Sequence, residues 1–288
     1  MPASHFPSIL PGRSSRSRGS PLFDLTGRVS VITGAAGLLG RQHAAAIYAF
    51  GGIPVLADVD RNGAIRAARE TGSRALGIRM DVTNPQSVQY AASDLVRRFG
   101  GIDILINNAA RNPKVEAEKR GAALGRLEET SLRDWELDLA VGLTGAMLCS
   151  RYFGERMAKR GRGVILNIAS DLALIGPDQR LYRKRGIPES EQPRKPVSYS
   201  VVKSGLIGLT RYLATYWASA GVRVNALCPG GVENGQPAEF LERISRLIPL
   251  ARMAKADEYQ GAIVFLCSDA SSYMTGSVVA IDGGRTCW

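Results

Sequence analysis

The stretch Val29-Ser30-Val31-Ile32-Thr33-Gly34-Ala35-Ala36-Gly37-Leu38-Leu39-Gly40 decides the fold. Its first four residues read as a buried strand, and the apolar pattern from Arg41 to Phe50 reads as a helix. Between them lie three glycines at a spacing of three. Glycine here lets the chain turn tightly and approach a pyrophosphate, which then rests on free amides at the helix N-terminus. A tight turn with no ligand is the competing reading, and the position between a strand and a helix counts against it. Gly34, Gly37, Leu39 and Gly40 are the candidate contacts.

Outward from this turn, apolar strands alternate with helical patterns. Strands are predicted at Pro54 to Ala57, Leu76 to Met80, Ile104 to Ile106, Val164 to Ile168, Val222 to Leu227 and Val278 to Ile281. Further helices are predicted at Pro85 to Phe99, Leu132 to Arg160 and Val197 to Ala220. This alternation implies an α/β fold: a single-domain, doubly wound, Rossmann-type parallel sheet of about seven strands with helices on both faces. The domain is expected over residues 23–288. Residues 1–22, rich in Ser, Pro, Arg and Gly without periodicity, are expected to form a disordered basic arm.

Such a sheet presents its ligand groups at the carboxyl ends of the strands. Asp58 ends the second strand, 18 residues after Gly40. A carboxylate there accepts hydrogen bonds from both adenosine ribose hydroxyls and repels a 2′-phosphate, which predicts NAD over NADP. Asp81-Val82, after the third strand, could flank the adenine. An Asp opening the turn Thr83-Asn84-Pro85 has an ordinary capping explanation of comparable weight. Asn107-Asn108 ends the fourth strand and Ser170 the fifth. Tyr199 and Lys203 stand four apart in a helix carrying Leu206, Leu209, Leu213 and Trp217, so phenol and ammonium share one face. Alone that pair is commonplace, and its company at the strand ends gives it meaning.

Composition removes several classes. The 288 residues hold no apolar run of the roughly 20 residues that cross a bilayer, so no membrane span is expected. Cys149, Cys228, Cys267 and Cys287 are far apart, which fits a reducing cytoplasm, and with two histidines no metal centre is expected. The net charge of +11 raises nucleic acid as a partner. Much of the excess lies in two irregular segments, the arm with Arg13, Arg16 and Arg18, and the stretch with Arg180, Arg183, Lys184, Arg185, Arg194 and Lys195. With the charge so localised and no recognised DNA or RNA motif, nucleic acid is not expected.

The turn, Asp58, Asp81-Val82, Asn107-Asn108-Ala109-Ala110, Ser170, Tyr199/Lys203, Pro229-Gly230-Gly231-Val232 and Asp282-Gly283-Gly284 together resemble the short-chain dehydrogenase/reductase family, in its single-domain branch. The resemblance implies that Tyr199 is the general acid/base, that Ser170 hydrogen-bonds the same substrate oxygen, and that Lys203 holds the nicotinamide ribose and lowers the tyrosine pKa. It also implies that Asn108, Ala109, Pro229, Gly230 and Val232 line the cofactor site. A free tyrosine titrates near roughly 10, so phenolate at neutrality needs about 4 kcal/mol of stabilisation, for which a nearby ammonium has the right sign. The resemblance further implies a homodimer or homotetramer joined through the long helices beginning near Leu132 and Val197, where Cys287 and Trp288 could also pack.

Three departures stand out. Leu38 replaces the usual middle glycine, a spacing similar to that of the extended branch of epimerases and dehydratases. Gly142 falls where the family usually has a catalytic Asn, which raises a non-catalytic or impaired dinucleotide-binding protein as an alternative; a sugar-nucleotide epimerase or dehydratase is a further alternative. Ser170 and Tyr199 are 29 residues apart, leaving room for an insertion at about 177–196. An insertion at the mouth of a site commonly selects the substrate. Arg183, Lys184 and Arg185 are candidates to clamp an anionic, carbohydrate-like small molecule, against the reading of a solvated loop. The insertion, the turn, Asn112-Pro113-Lys114 and Tyr199 to Leu209 also resemble oxidoreductases of flagellin-modification and nonulosonate sugar pathways.

Overall fold

β1 (Val29–Thr33) is buried at all five positions. A strand covered on both faces belongs inside a parallel sheet, and its neighbours follow in kind. The computed structural model describes residues 22–111 and 125–288, so the arm and Asn112-Pro113-Lys114 lie outside the described residues. β2 (Ile53–Asp58), β3 (Leu76–Arg79), β4 (Ile104–Asn107), β5 (Gly163–Ile168), β6 (Val222–Pro229) and β7 (Val278–Ile281) complete a seven-stranded sheet in the order β3-β2-β1-β4-β5-β6-β7. All of its pairings are parallel. The order reverses direction between β1 and β4, and this switch point opens the crevice in which a ligand sits.

Alternation along the strands divides the core. Val31, Val55, Leu105, Ile165 and Val224 pack on one face with α3 (Pro85–Phe99) and with Leu213 of α7 (Val197–Tyr216). Ile32, Leu56, Ile106, Leu166 and Leu227 pack on the other with α1 (Leu38–Ala49), α2 (Arg61–Thr71) and α9 (Gln260–Cys267). Each such side chain, fully removed from water, stabilises the fold by about 2 kcal/mol before entropy is counted.

Helix α3 has the predicted bounds because its ends are chemically marked. The Asn84 side chain accepts from the Ser87 amide, Pro85 follows it, and Gly100 closes the helix at φ +74°. The predicted helix at Leu132 to Arg160 is a composite: α4 (Leu132–Leu139), α5 (Gly145–Cys149) and α6 (Glu155–Lys159), joined by π-turns at Ala140–Thr144 and Ser150–Gly154. The run predicted to reach Ala220 leaves α-helix at Tyr216 and ends in a short 3-10 turn. Helix α2 escaped the sequence reading because it buries only Gly63, Ala64, Ala67 and Ala68, too little apolar bulk to register as a stripe. Helix α8 (Ala238–Ser245) and α9 were missed because eight residues barely sample the helical period. Among the described residues no helix is long and apolar enough to cross a membrane.

Candidate active site

The glycine turn is shaped by contact as well as by conformation. Gly34 lies at φ +62°, and a Cβ there would stand 2.8 Å from the Ala109 Cα. A Cβ on Gly40 would meet the Ala35 Cα at 2.6 Å, so Gly40 seats the helix against the turn and does not face the cleft. Asn108 ties β4 to β1: its side-chain amide donates to the carbonyls of Thr33 at 2.9 Å and Gly34 at 3.2 Å. Asn107, one residue earlier, points into the core and donates to the Asn167 Oδ1 at 2.8 Å. The asparagine pair therefore divides into one core residue and one cleft residue.

Asp58 accepts from the Ala36 amide at 3.0 Å through Oδ2 and from the Asp60 amide at 3.0 Å through Oδ1. Its carboxylate thus stands at the rim of a cavity of about 590 Å³ that Gly34, Gly37, Leu39, Asp81, Val82 and Ala109 also line. Asp81 holds its own turn by accepting from the Thr83 amide and hydroxyl at 2.9 and 2.7 Å, while the capping of α3 falls to Asn84. Asp81 thus supports its own turn, and it also lines the cavity. A positive-φ glycine against a backbone wall, a helix N-terminus and a carboxylate at the second strand fit the pyrophosphate and ribose of a dinucleotide.

A second cavity, of about 460 Å³, shares Leu38, Leu39, Asn108 and Ala110 with the first, so the two form a continuous cleft. Ser170, Tyr199, Lys203, Pro229, Gly230 and Val232 line this second part. Gly230 is held from behind by the Tyr259 hydroxyl, which donates to its carbonyl at 2.9 Å. Lys203 is buried, and its ammonium donates to the Ile168 carbonyl at 2.8 Å. Burial pushes Lys203 down to about 8, with the like charge of Lys195 acting in the same direction. Burial pushes the Tyr199 phenol up, a hydrogen bond with Ser170 works against that, and the negative charge of Asp171 adds to it.

Asp171, Arg285 and Lys195 are site residues that the sequence reading missed. Asp171 is 3% exposed, and its Oδ1 accepts from the Ser170 hydroxyl at 2.8 Å. Arg285, 8% exposed, donates to the Asp171 Oδ2 at 2.8 Å. The Asp282-Gly283-Gly284 turn delivers it: the Asp282 carboxylate accepts from the amides of Gly284 and Thr286, both at 2.9 Å, and swings the chain back. An acid inside the apolar run Ile168-Ala169-Ser170-Asp171-Leu172 was a readable signal of a buried carboxylate. Its partner, 114 residues away, was not.

The insertion is a folded cap. Leu181 and Tyr182 pack with Phe240, Ile244, Ile248 and Met253 in a small apolar cluster of their own. The buried Gln192 side chain accepts from the Lys184 amide at 2.8 Å and donates to the carbonyls of Lys184 and Ile187 at 2.9 and 2.6 Å. The clamp expected of Arg183, Lys184 and Arg185 needs correction. Arg183 pairs with Glu189 at 2.9 Å, Arg185 faces Glu239 at 3.7 Å from an exposed position, and none of the three lines the cleft. All three are exposed, beside the buried Leu181. The basic residue that the insertion brings to the cleft is Lys195, which lies 3.8 Å above the centre of the Tyr199 ring.

Gly142, at the usual Asn position, is buried in the first π-turn, and a Cβ there would stand 2.5 Å from the Val202 Cγ1. The π-turn and α7 pack closely at this position, so a side chain there requires Val202 to yield. At the chain end Trp288 is exposed and donates through its indole nitrogen to the Leu247 carbonyl at 3.3 Å.

Comparisons with known proteins place the chain in a family. A family model described as enoyl-(acyl carrier protein) reductase matches residues 34–286. D-threitol dehydrogenase of Mycolicibacterium smegmatis is 36% identical over 272 residues, covering 92% of this chain and 95% of its own. Cis-4-hydroxycyclohexanecarboxylate dehydrogenase of Sinomonas cyclohexanicum is 33% identical over 266 residues, 90% and 96% of the two chains. A gluconate 5-dehydrogenase from Burkholderia cenocepacia, solved in complex with NADP and tartrate, superposes with a TM-score of 0.77 at 27% identity, covering 93% of this chain and 98% of that one. Similarity that runs through both ends of the cleft and nearly the whole described chain means that the protein belongs to the short-chain dehydrogenase/reductase family of oxidoreductases.

Proposed function

We propose that this oxidoreductase is an NAD(H)-dependent dehydrogenase that interconverts a secondary alcohol and a ketone on a polar, carbohydrate-like substrate. The observation that carries this reading is the continuous cleft with a carboxylate, Asp58, at one end and Ser170, Tyr199 and Lys203 at the other. When bound, the nicotinamide accepts or donates the hydride. In the oxidative direction the Tyr199 oxygen takes the proton of the substrate hydroxyl, and in the reductive direction it returns one. The Ser170 hydroxyl, now turned to Asp171, rotates to donate to the same substrate oxygen. Lys203, held by the Ile168 carbonyl, places its charge where it favours the phenolate.

Two features support a hydroxylated substrate. The cavity wall carries polar groups from Tyr182, Asn234 and Gln236. The similar proteins include a D-threitol dehydrogenase, a galactitol 2-dehydrogenase and an NAD-dependent glycerol dehydrogenase. The preference for NAD over NADP rests on Asp58, whose charge opposes a 2′-phosphate. Self-association as a homodimer or homotetramer is supported by exposed apolar residues on the two long helical segments, Leu132, Leu137, Met147, Val201, Tyr212 and Tyr216. Gly142 alone favours a second reading, a dinucleotide-binding protein with impaired chemistry.

Fluorescence titration with NADH and NADPH, followed by turnover on polyols, sugar acids and simple ketones, tests the proposal. NADH is expected to bind more tightly than NADPH, and Tyr199→Phe is expected to lower kcat by about 10³-fold. Equal or tighter NADPH binding overturns the cofactor choice, and turnover that survives Tyr199→Phe overturns the mechanism.

A further inference from the structure

Tyr199 lies in a field of opposing charges, and only one of the cations is the lysine of its own helix. From α7 comes Lys203, whose ammonium is 5.8 Å from the ring centre. From the end of β5 come Ser170 and the buried Asp171, whose negative charge opposes phenolate formation. Arg285, from the C-terminal turn, is committed to Asp171. Cys228, on β6, is a neutral thiol that burial pushes up to about 11. From the insertion comes Lys195, with its ammonium 3.8 Å from the ring centre, nearer than Lys203.

We propose that Lys195 is a second cation of the acid/base centre, supplied by the insertion, which stabilises the Tyr199 phenolate across the face of its ring. The inference rests on the reading of Tyr199 as the acid/base. A neutral phenol attracts an ammonium over its face through the ring quadrupole, and a phenolate ring, carrying part of a full negative charge, attracts it more strongly. That difference lowers the cost of ionisation.

The position of Lys195 is built. Its amide donates to the Gln179 Oε1 at 2.8 Å, which ties the end of the insertion to its beginning. Pro196, extended at ψ 137°, then leads directly into α7, so Lys195 is anchored on both sides of its backbone. Lys195 and Lys203 each stand four residues from Tyr199. The similarity of spacing is deceptive, because Lys203 reaches the tyrosine by helical geometry and Lys195 by the fold of the insertion. Burial pushes Lys195 down to about 8, with the negative charge of Asp171 drawing it the other way. The insertion thereby acts on the chemistry as well as on the shape of the pocket.

The test uses the full chain carrying tyrosine labelled with carbon-13 at the phenolic carbon, with Tyr199 assigned by its missing signal in Tyr199→Phe. Ionisation of Tyr199 is read by NMR in the unsubstituted protein, in Lys195→Met and in Lys195→Arg, with NADH binding as the check of fold. Lys195→Met is expected to move the ionisation up by about one unit, about tenfold less phenolate at a given pH, while Lys195→Arg keeps it. The alkaline shift should reappear in the pH profile of kcat/KM. A Tyr199 that ionises at the same pH in Lys195→Met, with NADH binding intact, overturns the proposal, as does a Tyr199 that remains un-ionised to about pH 11 in every protein. Should Lys195→Met lose NADH binding, Lys195→Gln replaces it with the same expectation. The ionisation needs no substrate, so failure of the dehydrogenase reading shows separately, as turnover that survives Tyr199→Phe.

Discussion

At the proposed nucleotide end of the cleft, each candidate contact lies on, or within a few residues of, the end of its own strand. At the other end, Tyr199 is surrounded by β5, the insertion, α7 and a C-terminal turn whose Arg285 meets Asp171 across 114 residues. Both ends line one cleft, yet one is assembled by local geometry and the other by the way distant segments converge. The lesson concerns what each end can tolerate. At the first end, removing a cleft residue is expected to cost affinity, whereas at the second, breaking the buried Asp171–Arg285 pair is expected to cost stability.

The largest break in this comparison should come from Asp171→Asn. It strands the 8%-exposed Arg285 without its counter-charge and is expected to cost about 3–5 kcal/mol in urea unfolding. Adding Arg285→Gln should recover much of that loss, and a double variant no more stable than the single one would break the account. Asp58→Ala should spare stability by comparison and act on the cofactor. NADH affinity is expected to fall about tenfold to hundredfold, with the preference over NADPH narrowed, as read by fluorescence titration. The smallest effect belongs to Arg183→Ala, Lys184→Ala and Arg185→Ala combined. Exposed ion pairs such as Arg183–Glu189 contribute about 0–1 kcal/mol each, so KM should change by less than about threefold. A rise beyond tenfold would return these residues to the cleft.

Much of the fold was legible because period and punctuation are local quantities. Asn84-Pro85 and Gly100 marked α3 to the residue, and the apolar runs marked all seven strands to within two residues. Helix α2 was illegible because small side chains bury little area, and the π-turns because nothing in the composition of Leu132 to Arg160 announces them. The site was legible where it follows strand ends, as with Asp58, Asn108 and Ser170. The charges of the insertion misled, because six basic residues in an irregular stretch say nothing of which one turns inward.

The sequence by itself determined the parallel sheet, the glycine turn with its carboxylate partner, and the Tyr199/Lys203 pair one helical turn apart, since each depends on spacing along a few residues of chain. It was contact between distant segments in three dimensions that paired Arg285 with Asp171, put Val202 in the space beside Gly142, and set Lys195, of all the cations in the insertion, on Tyr199. Those outcomes depend on which surfaces the crossovers bring within hydrogen-bonding or van der Waals range, and contact between distant segments leaves no period in the chain for a reader to find.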